Sequence, residues 1–363
     1  MRISRKMEHI HHALSQRPQG RNGLLDVRLV PNALPDISLS SVSLATRIGE
    51  LNLSSPILIN AMTGGAQETE AINGQLAVAA KETGLAMAVG SQMSAIKDRS
   101  MRASYQIVRK MNPDGIVLAN LGAEATVEQA LEAVDMISAD ALQIHLNVMQ
   151  ELLMPEGERD FQGTTERISR IAEAAGVPVI VKEVGFGIAG EAAARLKAAG
   201  IQALDVGGSG GTSFAAIENA RRSRPFQALN NWGCSTAVAL LECSPVFGKG
   251  SLVASGGLRN GLEVVKSLAL GASAAGMAGL FLRLLQQSGV DGLIQGITEI
   301  KEEMLLVMSA LGAGTVQELW SCPVVVVGET AEWCRARGLD TEALARRSRG
   351  KPLPHEISSD NSY

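Results

Sequence analysis

From Pro56 onward, short unbroken apolar runs alternate with stretches of helical character. Eight runs stand out: residues 56–65, 85–91, 116–122, 141–147, 179–185, 203–208, 252–257 and 274–279. Continuous rather than alternating apolar runs indicate strands buried on both faces, and so a parallel sheet. Eight βα units predict a single closed (β/α)8 TIM barrel, an α/β fold, rather than a doubly wound sheet. Pro56 and Pro178 sit at strand starts, where a missing N–H is tolerated. The barrel is expected over 56–311, closing with an amphipathic helix at 293–311.

The flanks lack this rhythm. Residues 1–55 form an N-terminal extension, with a short helix expected over 4–14, a Pro/Asn/Gly-rich connector to about Asp36 and a β-hairpin over 41–53 turning at Gly49-Glu50. A C-terminal extension over 312–349 carries a β-like run at 324–327 and a last helix near 341–347. Residues 350–363 are expected to be disordered.

In such barrels the chemistry lies at the C-terminal strand ends. Here those ends carry Thr63, Ser91, Asn120, His145, Asn147, Lys182 and several glycine pairs. The connections 148–163 and 207–232 are longer than a plain βα link requires, which marks loops that bind or cover a ligand. Asp205-Val206-Gly207-Gly208-Ser209-Gly210-Gly211-Thr212-Ser213 is either a flexible surface loop or a nest of bare N–H groups for a phosphate. Gly256-Gly257 and Ala278-Gly279 repeat the small-residue ending on the next two strands, where barrels commonly hold a phosphate. Lys182 is a cation inside a strand end. It fits a Schiff-base lysine, a fixed charge beside a flavin or an anion, or a partner of Glu183 or Asp205. His145 and Asn147 share one strand face, with Gln150 and Glu151 following. Glu151 is either a solvated loop acid or a Mg²⁺ ligand that shares the ion with a substrate diphosphate. Arg5, Lys6 and His9 fall within one helical turn, either as a solvated basic end or as a diphosphate clamp.

Composition narrows the classes. Of 363 residues 46% are hydrophobic and only 3% aromatic, and the formal net charge is −4, so a large core is available and a nucleic-acid partner is not indicated. The four cysteines form no Cys-x-x-Cys pair, which argues for reduced thiols rather than zinc. With no signal-like or membrane-length apolar stretch, a cytoplasmic protein is expected.

Taken in order, several short motifs resemble the type 2 isopentenyl diphosphate isomerases, flavin-dependent (β/α)8 barrels. They are Arg5-Lys6-x-x-His9, Ala61-Met62-Thr63-Gly64-Gly65, Val89-Gly90-Ser91-Gln92, Asn120-Leu121-Gly122, His145-Leu146-Asn147-x-x-Gln150-Glu151, Val181-Lys182-Glu183-Val184-Gly185, Gly210-Gly211-Thr212, Ser255-Gly256-Gly257-Leu258-Arg259 and Gly276-Met277-Ala278-Gly279. The resemblance spans nearly the whole chain. It implies FMN held by Ala61, Met62, Thr63, Ser91, Asn120, Lys182 and Thr212, with Gly257, Arg259, Ala278 and Gly279 at its phosphate. It implies substrate contacts from Arg5, Lys6, His9, Ser91, Met93 and Gln150, and Mg²⁺ on Glu151. The implied reaction is the 1,3-proton shift between isopentenyl and dimethylallyl diphosphate in isoprenoid biosynthesis. Reduced FMN would be its acid–base group, supported by His145, Asn147 and Gln150, with NADPH as reductant and a homo-oligomer, tetramer or octamer, as the assembly. Two departures stand out: Met93, where many members have Arg, and Asn231-Trp232-Gly233-Cys234-Ser235-Thr236, where Asp-Trp-Gly-Ile-Pro-Thr is common. Two other readings are an FMN-dependent hydroxy-acid oxidase or dehydrogenase on the same barrel, with Cys234 near the position of a catalytic cysteine, and a non-catalytic flavin-binding barrel.

Overall fold

The computed structural model describes residues 21–347. The helix expected over 4–14 and the tail expected after 350 lie outside the described residues. Eight parallel strands close into a barrel: β1 (Ile57–Ile59), β2 (Ala86–Ala88), β3 (Val117–Gly122), β4 (Ala141–Leu146), β5 (Val179–Glu183), β6 (Ala203–Asp205), β7 (Leu252–Ser255) and β8 (Ala274–Met277). β8 pairs with β1 and β6 with β7, so no edge is left open.

Side-chain parity along the strands explains both the core and the site. Ile57, Ile59, Val117, Ala119, Leu142, Ile144, Val181, Leu204 and Ala254 belong to the large cluster packed against the helices. The alternate positions Leu58, Ala86, Leu118, Ala141, Ile180, Ala203, Val253 and Ala274 meet in a second cluster, to which every strand contributes and β2 adds Ala88. That cluster is the barrel interior. Two residues further along, on the same inward face, stand Asn60, Asn120, Gln143, Lys182, Asp205, Ser255 and Gly276. An apolar floor therefore gives way to a polar layer within one step of the pleat.

The predicted hairpin is present, Thr46–Ile48 against Leu51–Leu53, and its Ile48, Leu51 and Leu53 join the apolar floor. It closes the N-terminal end of the barrel, so the C-terminal end is the one left open to a ligand. The helix expected at 293–311 belongs to a longer one, Gly279–Leu311, that breaks at Gly289, where φ is +68°. Leu293, Ile297, Ile300, Met304, Met308 and Leu311 give it a buried stripe at helical spacing.

The two long connections are more ordered than the word loop suggests. The first holds a helix, Val148–Leu153, and the second a helix, Phe214–Ala220, and a 3-10 turn, Gln227–Asn231. Each is too short to show a period in sequence. Arg221 stitches them together, reaching Glu218 at 2.5 Å on its own helix and Glu156 at 2.9 Å across the gap.

In the C-terminal extension, Val324–Val326 pairs antiparallel with Val27–Leu29, a strand that sequence reading did not find. A further helix, Gly328–Ala336, follows. Arg337 and Trp333 both bond the Glu242 carboxylate at 2.8 Å, tying this extension to the helix Thr236–Phe247 of the barrel wall. Among the described residues, no helix is long and apolar enough to cross a membrane.

Candidate active site

A cavity of about 590 Å³ opens at the C-terminal ends of the strands. Every described residue expected to hold FMN, substrate or Mg²⁺ lines it, whereas Cys234 and Asp205 do not. Ala61, Met62 and Thr63 follow β1, and Ser91 and Met93 follow β2. Asn120 comes from β3, His145 from β4, and Asn147, Gln150 and Glu151 from the turn and helix after β4. Lys182 ends β5, Thr212 follows β6, Gly257 and Arg259 follow β7, and Ala278 and Gly279 follow β8. Arg5, Lys6 and His9 lie outside the described residues.

The glycine-rich stretch after β6 is not a surface loop. Gly207, Gly208 and Gly210 are buried, and Gly208 N–H donates to Ser255 O at 2.8 Å. A Cβ on Gly257 (φ +78°) would lie 2.2 Å from the Gly210 carbonyl, and one on Gly211 would lie 2.8 Å from Gly257 N. The loops after β6 and β7 thus touch backbone to backbone, which only glycine permits. Beside them the helix at Gly279 presents its first N–H groups, which have no intrahelical acceptor. Arg259 and Arg283 flank this end. Burial and the neighbouring Arg259 both lower the Arg283 pKa, and Arg259 also reaches Glu263 Oε1 at 3.5 Å.

The opposite side of the cavity is acidic. Glu124, Glu151 and Glu156 line it, with Lys97 among them. Glu151 is oriented by Asn147 Nδ2, which donates to Oε1 at 2.9 Å, and by the Glu158 N–H on Oε2 at 2.8 Å. Gln150 is buried and donates to Glu218 Oε1 at 3.1 Å, which fixes its amide from the second long connection.

Lys182 is buried and donates to the Glu183 backbone oxygen at 2.8 Å. Among the described residues it forms no ion pair, so its pairing with Glu183 or Asp205 does not hold. The Glu183 carboxylate turns instead to the N–H groups of Val184, Gly185 and Phe186. Burial holds the Glu183 pKa up at about 7, outweighing those three N–H donors and the Lys182 charge. A carboxyl raised in the fold keeps a proton that the unfolded chain has lost. Its stabilising contribution is present below about pH 4.5 and is lost as pH rises towards about 7. Glu183→Gln should therefore match wild type near pH 4.5 and exceed it by about 1–3 kcal/mol near pH 8 in thermal unfolding. Equal destabilisation at both pH values would refute this.

Asn60, Gln143, Lys97, Glu124 and Arg283 escaped the sequence reading. For Asn60 and Gln143 a signal existed: each is a polar residue in an otherwise apolar run. For the other three nothing distinguishes them locally from solvated charges.

The model of the FMN-dependent dehydrogenase family matches residues 85–324. The isopentenyl-diphosphate delta-isomerase of Bacillus pumilus is 50% identical over 351 residues, covering 96% of this chain and 99% of that protein. Its namesake from Bacillus licheniformis is 53% identical over 347 residues, covering 95% and 99%. The chain belongs to the FMN-dependent isopentenyl-diphosphate delta-isomerase family. The barrel of this isomerase family member also superposes on more distant solved structures. A lactate oxidase from Pediococcus acidilactici gives a TM-score of 0.68 at 16% identity, covering 88% of this chain and 91% of the other. A soluble mutant of the membrane-associated (S)-mandelate dehydrogenase from Pseudomonas putida gives 0.60 at 18%, covering 86% and 89%. At such identities the likeness is one of fold.

Two features of this isomerase family member fit FMN independently of kinship. The glycine cradle with Arg259 and Arg283 suits a phosphate, and Thr63 Oγ1 is buried at the cavity wall with no hydrogen-bond partner among the described residues. A buried hydroxyl left in that state is explained by a ligand acceptor or donor. The carboxylates Glu124, Glu151 and Glu156 make the other side acidic, and among the described residues no three His, Cys, Asp or Glu side chains converge as a metal site.

Proposed function

We propose that this chain interconverts isopentenyl diphosphate and dimethylallyl diphosphate by a 1,3-proton shift, serving isoprenoid biosynthesis. The observation that carries this reading is one cavity with two differently charged sides. A cationic glycine cradle suits the FMN phosphate, and a carboxylate-lined side suits a metal-bridged diphosphate. Relatives at about 50% identity bear the isomerase name, which supports the same assignment.

Reduced FMN, when bound, supplies an electron-rich ring that exchanges a proton and stabilises developing positive charge. The chain's own residues do the rest. Ala61, Met62, Thr63, Ser91, Asn120 and Thr212 hold the ring and its side chain, while Gly257, Arg259, Ala278 and Gly279 hold the phosphate. Lys182 sets a fixed positive charge beside the ring. Glu151, held square by Asn147 and the Glu158 N–H, would hold Mg²⁺, whose charge would offset that of the diphosphate. Gln150 and His145 orient the substrate, and Met93 lies against it. Arg5, Lys6 and His9 would be the diphosphate ligands. NADPH as reductant, a cytoplasmic setting and a homo-oligomer, tetramer or octamer, complete the proposal.

The oxidoreductase reading is weaker. His145 is the only histidine among the described residues and stands on β4, not late in the barrel. Burial, then Glu242 and Glu183, push the Cys234 thiol up to about 12, so it is no ready nucleophile. The deciding experiment is an anaerobic incubation with FMN, Mg²⁺, reductant and isopentenyl diphosphate in D₂O. Deuterated dimethylallyl diphosphate should form only when the flavin is reduced. Absence of label, with bleaching of the yellow protein by a hydroxy acid, would transfer the assignment to an oxidase.

A further inference from the structure

The polar layer above the barrel floor contains a hydrogen-bonded chain with a single direction. Asp205 is fully buried and accepts from Ser255 Oγ, from Gly207 N–H at 3.2 Å and from Asn60 Nδ2 at 2.6 Å. Asn60 Oδ1 accepts the Ala61 N–H at 2.9 Å and Gln143 Nε2 at 3.1 Å. Gln143 Oε1 accepts Asn120 Nδ2 at 3.1 Å, and Asn120 Oδ1 faces His145 Nδ1 at 3.0 Å. Amide orientation is ordinarily ambiguous. Here two groups of fixed sense remove the ambiguity. A carboxylate only accepts and a backbone N–H only donates, so Asn60 has one permitted orientation. Gln143 and Asn120 inherit theirs from it, and the last acceptor in the series is Asn120 Oδ1. Nδ1 of His145 must then carry a hydrogen.

The space for this chain is reserved. A Cβ on Gly276 would lie 2.4 Å from Asn60 Nδ2. Asn60, Asn120 and Gln143 are each under 5% exposed, so water does not compete for their bonds.

We propose that Asp205, Asn60, Gln143 and Asn120 form a one-way relay that fixes the His145 tautomer, with Nδ1 as the donor and Nε2 as the acceptor nitrogen. Gln143 and Asn60 are thereby positioning residues, acting through Asn120 and His145. The tautomer follows from the side chains alone, and only its effect on turnover rests on the isomerase reading.

The test uses the full chain loaded with FMN and labelled with [15N]histidine. Five histidines give five sets of imidazole signals, and His145→Asn identifies the one of interest. Near pH 8, above the ordinary imidazole pKa of about 6.5, wild type should show His145 protonated on Nδ1. Gln143→Leu frees the Asn120 amide to turn, so the two tautomers should mix. Its kcat should fall about tenfold, with KM changed less than about twofold, the scale of one misdirected hydrogen bond. Gln143→Glu offers Asn120 Nδ2 an acceptor in either protonation state. His145 should therefore stay protonated on Nδ1 in that variant, and its kcat should exceed that of Gln143→Leu. A wild-type His145 protonated on Nε2 overturns the relay whether or not the protein isomerises anything. An unchanged Nδ1–H form in Gln143→Leu removes Gln143 from it. If that variant does not fold, the wild-type spectrum and the His145 signals of Gln143→Glu decide the matter. A correct tautomer with no label transfer in D₂O would refute the isomerase reading and leave the relay standing.

Discussion

Replacing Lys182 with methionine should lower kcat by about 100- to 1000-fold, the usual cost of removing one preorganised charge from a catalytic cavity. Methionine keeps the length and the packing and deletes only the ammonium. That ammonium is buried, uses one donor on the Glu183 oxygen, and has no carboxylate partner among the described residues. An ammonium has three donors, so two remain for the cavity. Such an arrangement is unfavourable in the apo protein, because a buried cation outside any ion pair carries a desolvation cost of several kcal/mol that the nearby Glu183 charge offsets only in part. Stability and activity should therefore separate. Apo Lys182→Met should unfold at the wild-type temperature or above it, while anaerobic turnover with reduced FMN collapses and affinity for reduced FMN drops more than for oxidised FMN. A kcat within about threefold of wild type would refute a fixed-charge role.

Gly257→Ala should weaken FMN binding by about 100-fold, the scale of a 1 Å misplacement in a preorganised site. The new Cβ would lie 2.2 Å from both the carbonyl carbon and the oxygen of Gly210, and these are main-chain atoms that cannot rotate away. The positive φ adds about 1 kcal/mol or more for a residue with a side chain. The loop after β6 must therefore retreat from the loop after β7, and the cradle widens. Flavin fluorescence quenching measures the loss directly. Gly200→Ala is the control: its φ of +87° also disfavours a side chain, but its Cβ meets nothing within 4 Å. If both variants bind FMN equally, the loss comes from backbone strain and not from the cradle.

The barrel was legible because parallel strands buried on both faces leave unbroken apolar runs. Their ends were less legible. The run at 85–91 was read as strand, yet only Ala86–Ala88 is in the ladder, because small apolar residues continue past the last pair into the site. Polar residues at strand ends, such as Lys182, His145 and Asn120, announced themselves against an apolar background. Arg283 and Lys97 did not, since a charge on a helix ordinarily marks a solvated face and only the closed barrel turns theirs inward. The pairing of Val27–Leu29 with Val324–Val326 had no local signal either, as nothing in a three-residue run names a partner so distant in sequence.

That last pairing has a bearing on the order of synthesis. All eight barrel strands are complete by Met277, whereas the strand that receives Val27–Leu29 emerges only with Val324. A nascent chain can therefore close its barrel while Val27–Leu29 still lacks its partner strand. The open bowl would exist on the ribosome before that segment is secured. A chain halted before residue 324 should hold flavin while leaving Val27–Leu29 open to protease.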